Sequence, residues 1–153
     1  MAKQSAGLLI YRERQGQLEV LLVHPGGPFW KNKDDRAWTI PKGELQTEED
    51  PLAAAQRECQ EELGFVPTGS FIPLSPVRQK SGKVIQAWAI QADWDTTQLR
   101  SNSFSLEWPP RSGKMQEFPE VDRAEYFELE VAAKKMNPAQ AVLLNELKAQ
   151  LRT

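Results

Sequence analysis

The chain has 153 residues and a formal charge of −2, from 19 basic and 21 acidic side chains, with 40% apolar residues. That length buries a substantial core as one domain, so a single domain over residues 1–153 is expected. The slightly acidic balance argues against a general nucleic-acid binder, which would show a basic surface, and the lone cysteine, Cys59, rules out an internal disulfide. The first apolar run, Gly7 to Tyr11, is too short for a signal or membrane-spanning segment and is better read as a strand, which makes the cytoplasm the default location. Residues 4–12 and 18–24 form two strands joined by the polar turn Arg14-Gln15-Gly16-Gln17. In the second, Leu18, Val20 and Leu22 point one way and Leu21 and Val23 the other, as in a strand covered on both faces.

A loop follows from His24 to Arg36, reading HPGGPFWKNKDDR, and it combines glycine, aromatics and cations. Loops of this composition suit a phosphate-bearing ligand, with Phe29 or Trp30 stacking on a ring and Lys31, Lys33 or Arg36 holding phosphate. His24 sits at a strand end, where a packed or hydrogen-bonded role is expected over catalysis. Ala37 to Ile40 reads as a short buried strand, after which Pro41-Lys42-Gly43-Glu44 turns into the loop before a helix. That helix is expected over residues 51–62: Asp50 caps it, Pro51 suits its first position, and Gly64 stops it in a left-handed conformation. At about 100° per residue, Leu52, Ala55, Cys59 and Leu63 form a buried arc, with Glu58, Glu61 and Glu62 bordering it. Like charges this close repel unless a cation compensates them, and magnesium, a hard ion preferring oxygen donors, fits that need. Cys59 falls in the buried arc and reads as a small core side chain.

Residues 71–79 and 83–92 are two further strands around Lys80-Ser81-Gly82-Lys83. Residues 95–117 form a long loop of the kind that serves as a lid or binding segment, and Ala124 to Leu129 is the last strand. Asn137 and Pro138 begin a terminal helix whose apolar side is Val142, Leu143, Leu147 and Leu151. Arg78 and Lys80, beside the expected cleft, are further phosphate contacts.

Between Gly43 and Phe65 the sequence reads GELQTEEDPLAAAQRECQEELGF. Gly43, Glu49, Arg57, Glu58, Cys59, Glu61, Glu62, Gly64 and Phe65 fill in order every defined position of a pattern written G-x5-E-x7-R-E-U-x-E-E-x-G-U, with U apolar. This segment resembles the signature box of the Nudix hydrolases. The resemblance implies an α+β fold, a Nudix-type α/β/α sandwich with a mixed central sheet. It also implies a magnesium- or manganese-dependent enzyme that cleaves the phosphoanhydride bond of a nucleoside diphosphate linked to another moiety. By match to the motif, Glu58, Glu61 and Glu62 are the side-chain metal ligands, Glu62 foremost, and the Gly43 carbonyl is a backbone ligand. Arg57 orients a box carboxylate and Glu49 is structural. A further acidic ligand comes from a downstream loop in many relatives, and Glu120 is expected here ahead of Glu117. The Pro-Lys-Gly-Glu form is similar to relatives acting on dinucleoside polyphosphates or diphosphoinositol phosphates, in which Lys42 would help hold phosphate.

The tyrosine that many diadenosine polyphosphate hydrolases carry beyond the box is replaced by Ser81-Gly82-Lys83, and the corresponding proline of ADP-ribose hydrolases is absent at Gln79-Lys80. Substrate choice therefore stays open among dinucleoside polyphosphates, nucleoside triphosphates and diphosphoinositol phosphates, with a non-hydrolytic nucleotide-binding regulator as the alternative class. The identity of the general base, and monomer against homodimer, stay open as well.

Overall fold

A computed structural model describes residues 3–152. A hairpin opens the chain: β1 (Gln4–Arg14) and β2 (Gln17–Pro25) pair antiparallel from Arg14↔Gln17 to Tyr11↔Val20. Gln15 and Gly16 both take positive φ, at 54° and 77°, as a two-residue hairpin turn requires. Beyond Tyr11 the two strands diverge, and the segment from Thr39 to Glu44 fills the gap between them. Its Thr39 exchanges backbone hydrogen bonds with Val23, and its Pro41 carbonyl accepts from Leu8 N–H at 3.1 Å. Residues Lys42–Glu44 then form β3, antiparallel to Ser5–Gly7 of β1.

The elements differ here from expectation. Ala37 to Ile40 forms isolated bridges rather than a strand, and strand pairing falls instead on Lys42–Glu44, which the sequence reads as loop. Three residues including a glycine carry no usable alternation, so only their seat beside β1 makes them a strand.

The expected helix is α1 (Pro51–Leu63). Asp50 Oδ2 accepts from Ala53 N–H at 3.0 Å, and Gly64, at φ 77°, donates its N–H to the Gln60 carbonyl. The next strand breaks into β4 (Ile72–Pro73) and β5 (Val77–Arg78), because Pro73 and Pro76 have no N–H to give a continuous ladder. Both pair antiparallel with β6 (Val84–Gln91), which runs parallel to the whole inner length of β1.

Residues 95–117 hold more structure than a loop. A 3-10 turn at Thr96–Gln98 leads to β7 (Ser103–Glu107), which pairs with β8 (Met115–Pro119) in a separate two-stranded hairpin. The last strand of the main sheet, β9 (Val121–Glu128), starts earlier than expected and pairs with β2. A short helix not foreseen, α2 (Leu129–Lys135), follows it. Asn137 caps a 3-10 turn at Pro138–Gln140 rather than the terminal helix, and α3 (Val142–Leu151) begins after it. Its buried positions are Leu143, Leu144 and Leu147, whereas Val142 is exposed.

The main sheet thus has the order β4-β6-β1-β2-β9 and is mixed, as expected. On one face Ala6, Leu8, Ile10, Leu21 and Val23 pack on Ala54, Ala55, Cys59 and Leu63 of α1. On the other, Leu9, Tyr11, Val20 and Leu22 pack on α2 and α3 through Ala132, Met136, Leu143 and Leu147. Alternation along β1 and β2 sends successive side chains to the two layers, and burial on both faces gives the α/β/α sandwich. Among the described residues no helix is long and apolar enough to cross a membrane.

Candidate active site

Side chains from α1, β3, the 26–36 loop and the start of β9 meet at one end of the sandwich. Arg57 organises the helix side. Its Nε and Nη2 donate to the two Glu49 oxygens at 2.8 and 3.0 Å, its Nη1 donates to Glu58 Oε1 at 2.9 Å and Glu61 Oε2 at 2.6 Å, and Nη2 also reaches the Glu44 carbonyl at 3.1 Å. Glu49 forms the two-toothed pair with Arg57, which holds its carboxyl below the usual range. Arg57 Nη1 holds Glu58 through Oε1 and Glu61 through Oε2, which leaves Glu58 Oε2 and Glu61 Oε1 outside the Arg57 network.

Gly43 lies directly under Glu58. A Cβ there would fall within the Glu58 carboxylate, so only glycine lets the β3 backbone and that side chain close together. Beside them Glu62 is strongly buried, and burial pushes its carboxyl up to about 8, with Lys42 opposing the rise and Glu58 and Glu120 adding to it. The Lys42 ammonium is itself lowered by burial, with Glu62 working against that. Burial and then Arg57 act in opposite directions on Glu58, which ends above the ordinary carboxylate range.

Glu120 reaches this group from the far side because a backbone stitch holds β9 to the end of α1. Arg100 N–H donates to Leu63 O at 3.0 Å, Asn102 N–H to Glu61 O at 2.7 Å, and Glu120 N–H to Asn102 O at 2.8 Å. Ser101 Oγ accepts from Val121 N–H at 2.9 Å. Burial raises the Glu120 carboxyl, with Glu58 and Glu61 adding to the shift. Glu117 instead sits exposed in the β7–β8 hairpin, opposite Ser105.

A cleft of about 270 Å³ opens over Lys42, Glu62 and Glu120 and is walled by Trp30, Arg36, Gln79 and Asn137. Past Arg36, Gln79 and Asn137 it continues into a second recess of about 490 Å³ bordered by Lys80 and Ser81. The structure brings Trp30, Arg36, Lys42, Glu62 and Glu120 together, with Glu58, Glu61, Arg57 and Gly43 behind them. It does not bring Lys31 or Arg78 to the cleft. Lys31 lines a neighbouring recess with Gly27, Pro28, Trp108 and Phe118, and Arg78 turns to the Gly82 carbonyl of its own hairpin at 3.5 Å. Gln79 and Asn137 were not anticipated as lining residues. Each read as part of a strand or a cap, and only the meeting of distant segments puts them here.

The decisive comparison is with the family model described as NUDIX domain, which matches residues 1–147. The chain belongs to the Nudix family. Its sequence is 40% identical to the Bis(5'-nucleosyl)-tetraphosphatase [asymmetrical] of Caenorhabditis elegans over 65 residues, 42% of this chain and 43% of that protein. It is 41% identical to an RNA pyrophosphohydrolase of Stenotrophomonas maltophilia over 49 residues, 31% of this chain and 24% of the relative. The chain therefore spans less than half the length of these curated Nudix relatives. Among solved structures, a C. elegans Ap4A hydrolase binary complex superposes with a TM-score of 0.67 at 24% identity, covering 97% of this chain and 98% of that one. The NUDIX domain of Shewanella oneidensis NrtR complexed with ADP ribose gives 0.66 at 16% identity over 99% and 89%. At those identities the likeness shows a shared Nudix fold.

Proposed function

We propose that the protein is a divalent-metal-dependent pyrophosphohydrolase that cleaves a phosphoanhydride bond in a nucleoside diphosphate linked to another moiety, a dinucleoside polyphosphate being one candidate. One observation carries the reading: Glu62 is buried at the base of a cleft, its charge opposed by burial and by Glu58 and Glu120, with Lys42 as its nearby cation. A buried carboxylate under that strain is stabilised by a further positive charge. Among the described residues no three acidic, histidine or cysteine side chains converge as a ready-made cage. The donor set nonetheless fits a hard ion, since Glu58, Glu61, Glu62, Glu120 and the Gly43 carbonyl offer oxygen alone, which suits Mg2+ or Mn2+.

When bound, such ions neutralise phosphate oxygens and make a water easier to deprotonate. The chain's own residues do the rest. Arg57 holds Glu58 and Glu61 by one oxygen each and so fixes the direction of the other. Lys42 places a compact positive charge next to Glu62, where a phosphate would lie. Trp30 offers a flat apolar face and Arg36 a guanidinium at the wall of the same cleft. The oxygen of water bonds to phosphorus and its proton passes to solvent, while the bridging P–O bond breaks and the bridging oxygen departs with the electron pair as part of the leaving phosphate.

The relatives named as a tetraphosphatase and an RNA pyrophosphohydrolase support cleavage of this bond type. A hydrolysis screen over dinucleoside polyphosphates, nucleoside triphosphates, nucleotide sugars and diphosphoinositol phosphates, with product masses, tests it. Turnover should require magnesium or manganese, stop with chelator, and fall by about 10²-fold or more in Glu62→Gln while the fold persists. A folded protein that turns over none of these with either metal, or a Glu62→Gln variant at full rate, refutes the assignment.

A further inference from the structure

His24 ends β2, is 1% exposed and is the chain's only histidine. Both ring nitrogens are engaged: Nδ1 lies 2.7 Å from Asp122 Oδ1 and Nε2 lies 2.6 Å from the Lys33 carbonyl oxygen. The ring also meets the Trp38 indole edge to face at 5.2 Å, which fixes its plane. A carbonyl oxygen and an ionised carboxylate are both acceptors, so the two contacts are hydrogen bonds together only when each nitrogen carries a proton. Against an ionised carboxylate, a neutral ring keeps one of them and loses the other.

The two bonds join parts of the cleft that come from different elements. Lys33 lies on the loop that carries Trp30 and Arg36 into the cleft. Asp122 lies two residues beyond Glu120, at a bulge. The pairing runs His24↔Arg123 and then Pro25↔Val121, so Asp122 is the extra residue of β9. Val121 and Ala124 consequently both bury on the α1 face, three apart instead of two, and Asp122 is turned out of the ladder to meet His24. Nearby, Gly26 N–H donates to the Glu120 carbonyl at 2.9 Å, tying the same loop to the same strand.

We propose, on the hydrolase reading above, that His24 is a positioning residue whose imidazolium clips the substrate loop, through Lys33, to the strand that presents Glu120, through Asp122. The charged groups around it leave that assignment intact. Arg123, opposite His24 on β9, holds its guanidinium over the Trp38 ring at 5.0 Å. The Lys33 ammonium lies over Trp30 at 5.1 Å. Asp34 accepts from the Trp38 indole N–H at 2.8 Å and from Lys135 Nζ, of α2, at 2.6 Å, so its charge is already engaged. Loss of a ring proton to solvent releases one arm, the loop moves relative to β9, and substrate is held less well while the bond-breaking groups on α1 stay in place.

A single histidine makes the test direct. In tag-free, uniformly 15N-labelled protein, both ring nitrogens should carry protons at the pH where KM is lowest. As the ring titrates, amide signals of the non-proline residues in 26–36 and 120–123 should shift and KM should climb about tenfold with kcat changed less than about twofold. Asp122→Asn keeps an acceptor for Nδ1–H, so its KM should still follow the ring titration, whereas Asp122→Ala removes the acceptor and should show the high KM at every pH. His24→Gln, which keeps a donor towards Lys33 alone, should show the high KM at every pH. A neutral ring at the KM minimum, or a KM that ignores the ring titration, overturns the clip. Should the protein hydrolyse no diphosphate, the hydrolase reading fails on its own. The ring and amide titrations still decide the clip, and amides of 26–36 that do not respond to the ring overturn it.

Discussion

Arg57 shows how much of the site rests on one guanidinium. It spends four N–H contacts on Glu49, Glu58 and Glu61, a planar fork that an ammonium cannot reproduce. Arg57→Lys should therefore weaken metal activation by about 10- to 100-fold, the usual cost of losing an orienting partner. A manganese titration of activity reads this directly, and an unchanged half-saturation point would count against the role. The spacing of Gly43, Glu49, Arg57 and the glutamates made this network legible, because a motif confined to one loop and one helix depends on local geometry. Glu120 was nameable from its acidity and its place before an aromatic strand. Gln79 and Asn137 were not, since their contribution exists only when β5 and the 3-10 turn after α2 fold against the same cleft.

The box helix was legible as an element for the same reason. Asp50, Pro51 and Gly64 carry start and stop signals in their own chemistry, and the helix ran one residue past the expected end. Asp50→Ala removes the acceptor for Ala53 N–H and should cost about 1 kcal/mol in urea unfolding, with little change in the metal dependence of turnover. A loss of activity without that loss of stability would mean that Asp50 does something other than cap. The β7–β8 hairpin was missed for an instructive reason. Ser103 to Glu107 alternates polar and apolar for one short strand only, and its sheet of two strands stands apart from the main one, so no neighbouring element marks it. Proline placement explains the opposite error at 71–79, where one expected strand became two.

At the scale of the whole molecule, the active end works against stability when no metal is present. Glu62 has a folded value raised to about 8, so the metal-free fold retains a proton that the unfolded chain has already released near pH 4.5. Stability from this group is complete below that lower value and is lost as pH rises through about 8. Glu49 and Asp34, both lowered by hydrogen-bonded cations, act in the other direction, and their contribution is lost as pH falls below the usual carboxylate range. Thermal midpoints in chelator should therefore peak in mild acid and fall towards pH 8. Manganese should restore the alkaline side, and Glu62→Gln should flatten it. A chelated protein whose midpoint rises steadily from pH 5 to 8 would contradict the burial of that charge.

The wedge between β1 and β2 has a further consequence. Leu8 and Val23 N–H groups are both taken up by carbonyls of the chain that leads into the box, so the segment before the box helix is sewn into the central sheet instead of hanging from it. Local breathing cannot free Gly43 without unzipping the hydrogen bonds at the heart of the molecule. The active end and the scaffold should melt as one cooperative unit, with the amide protons of Thr39 and Leu8 exchanging as slowly as those of the deepest core.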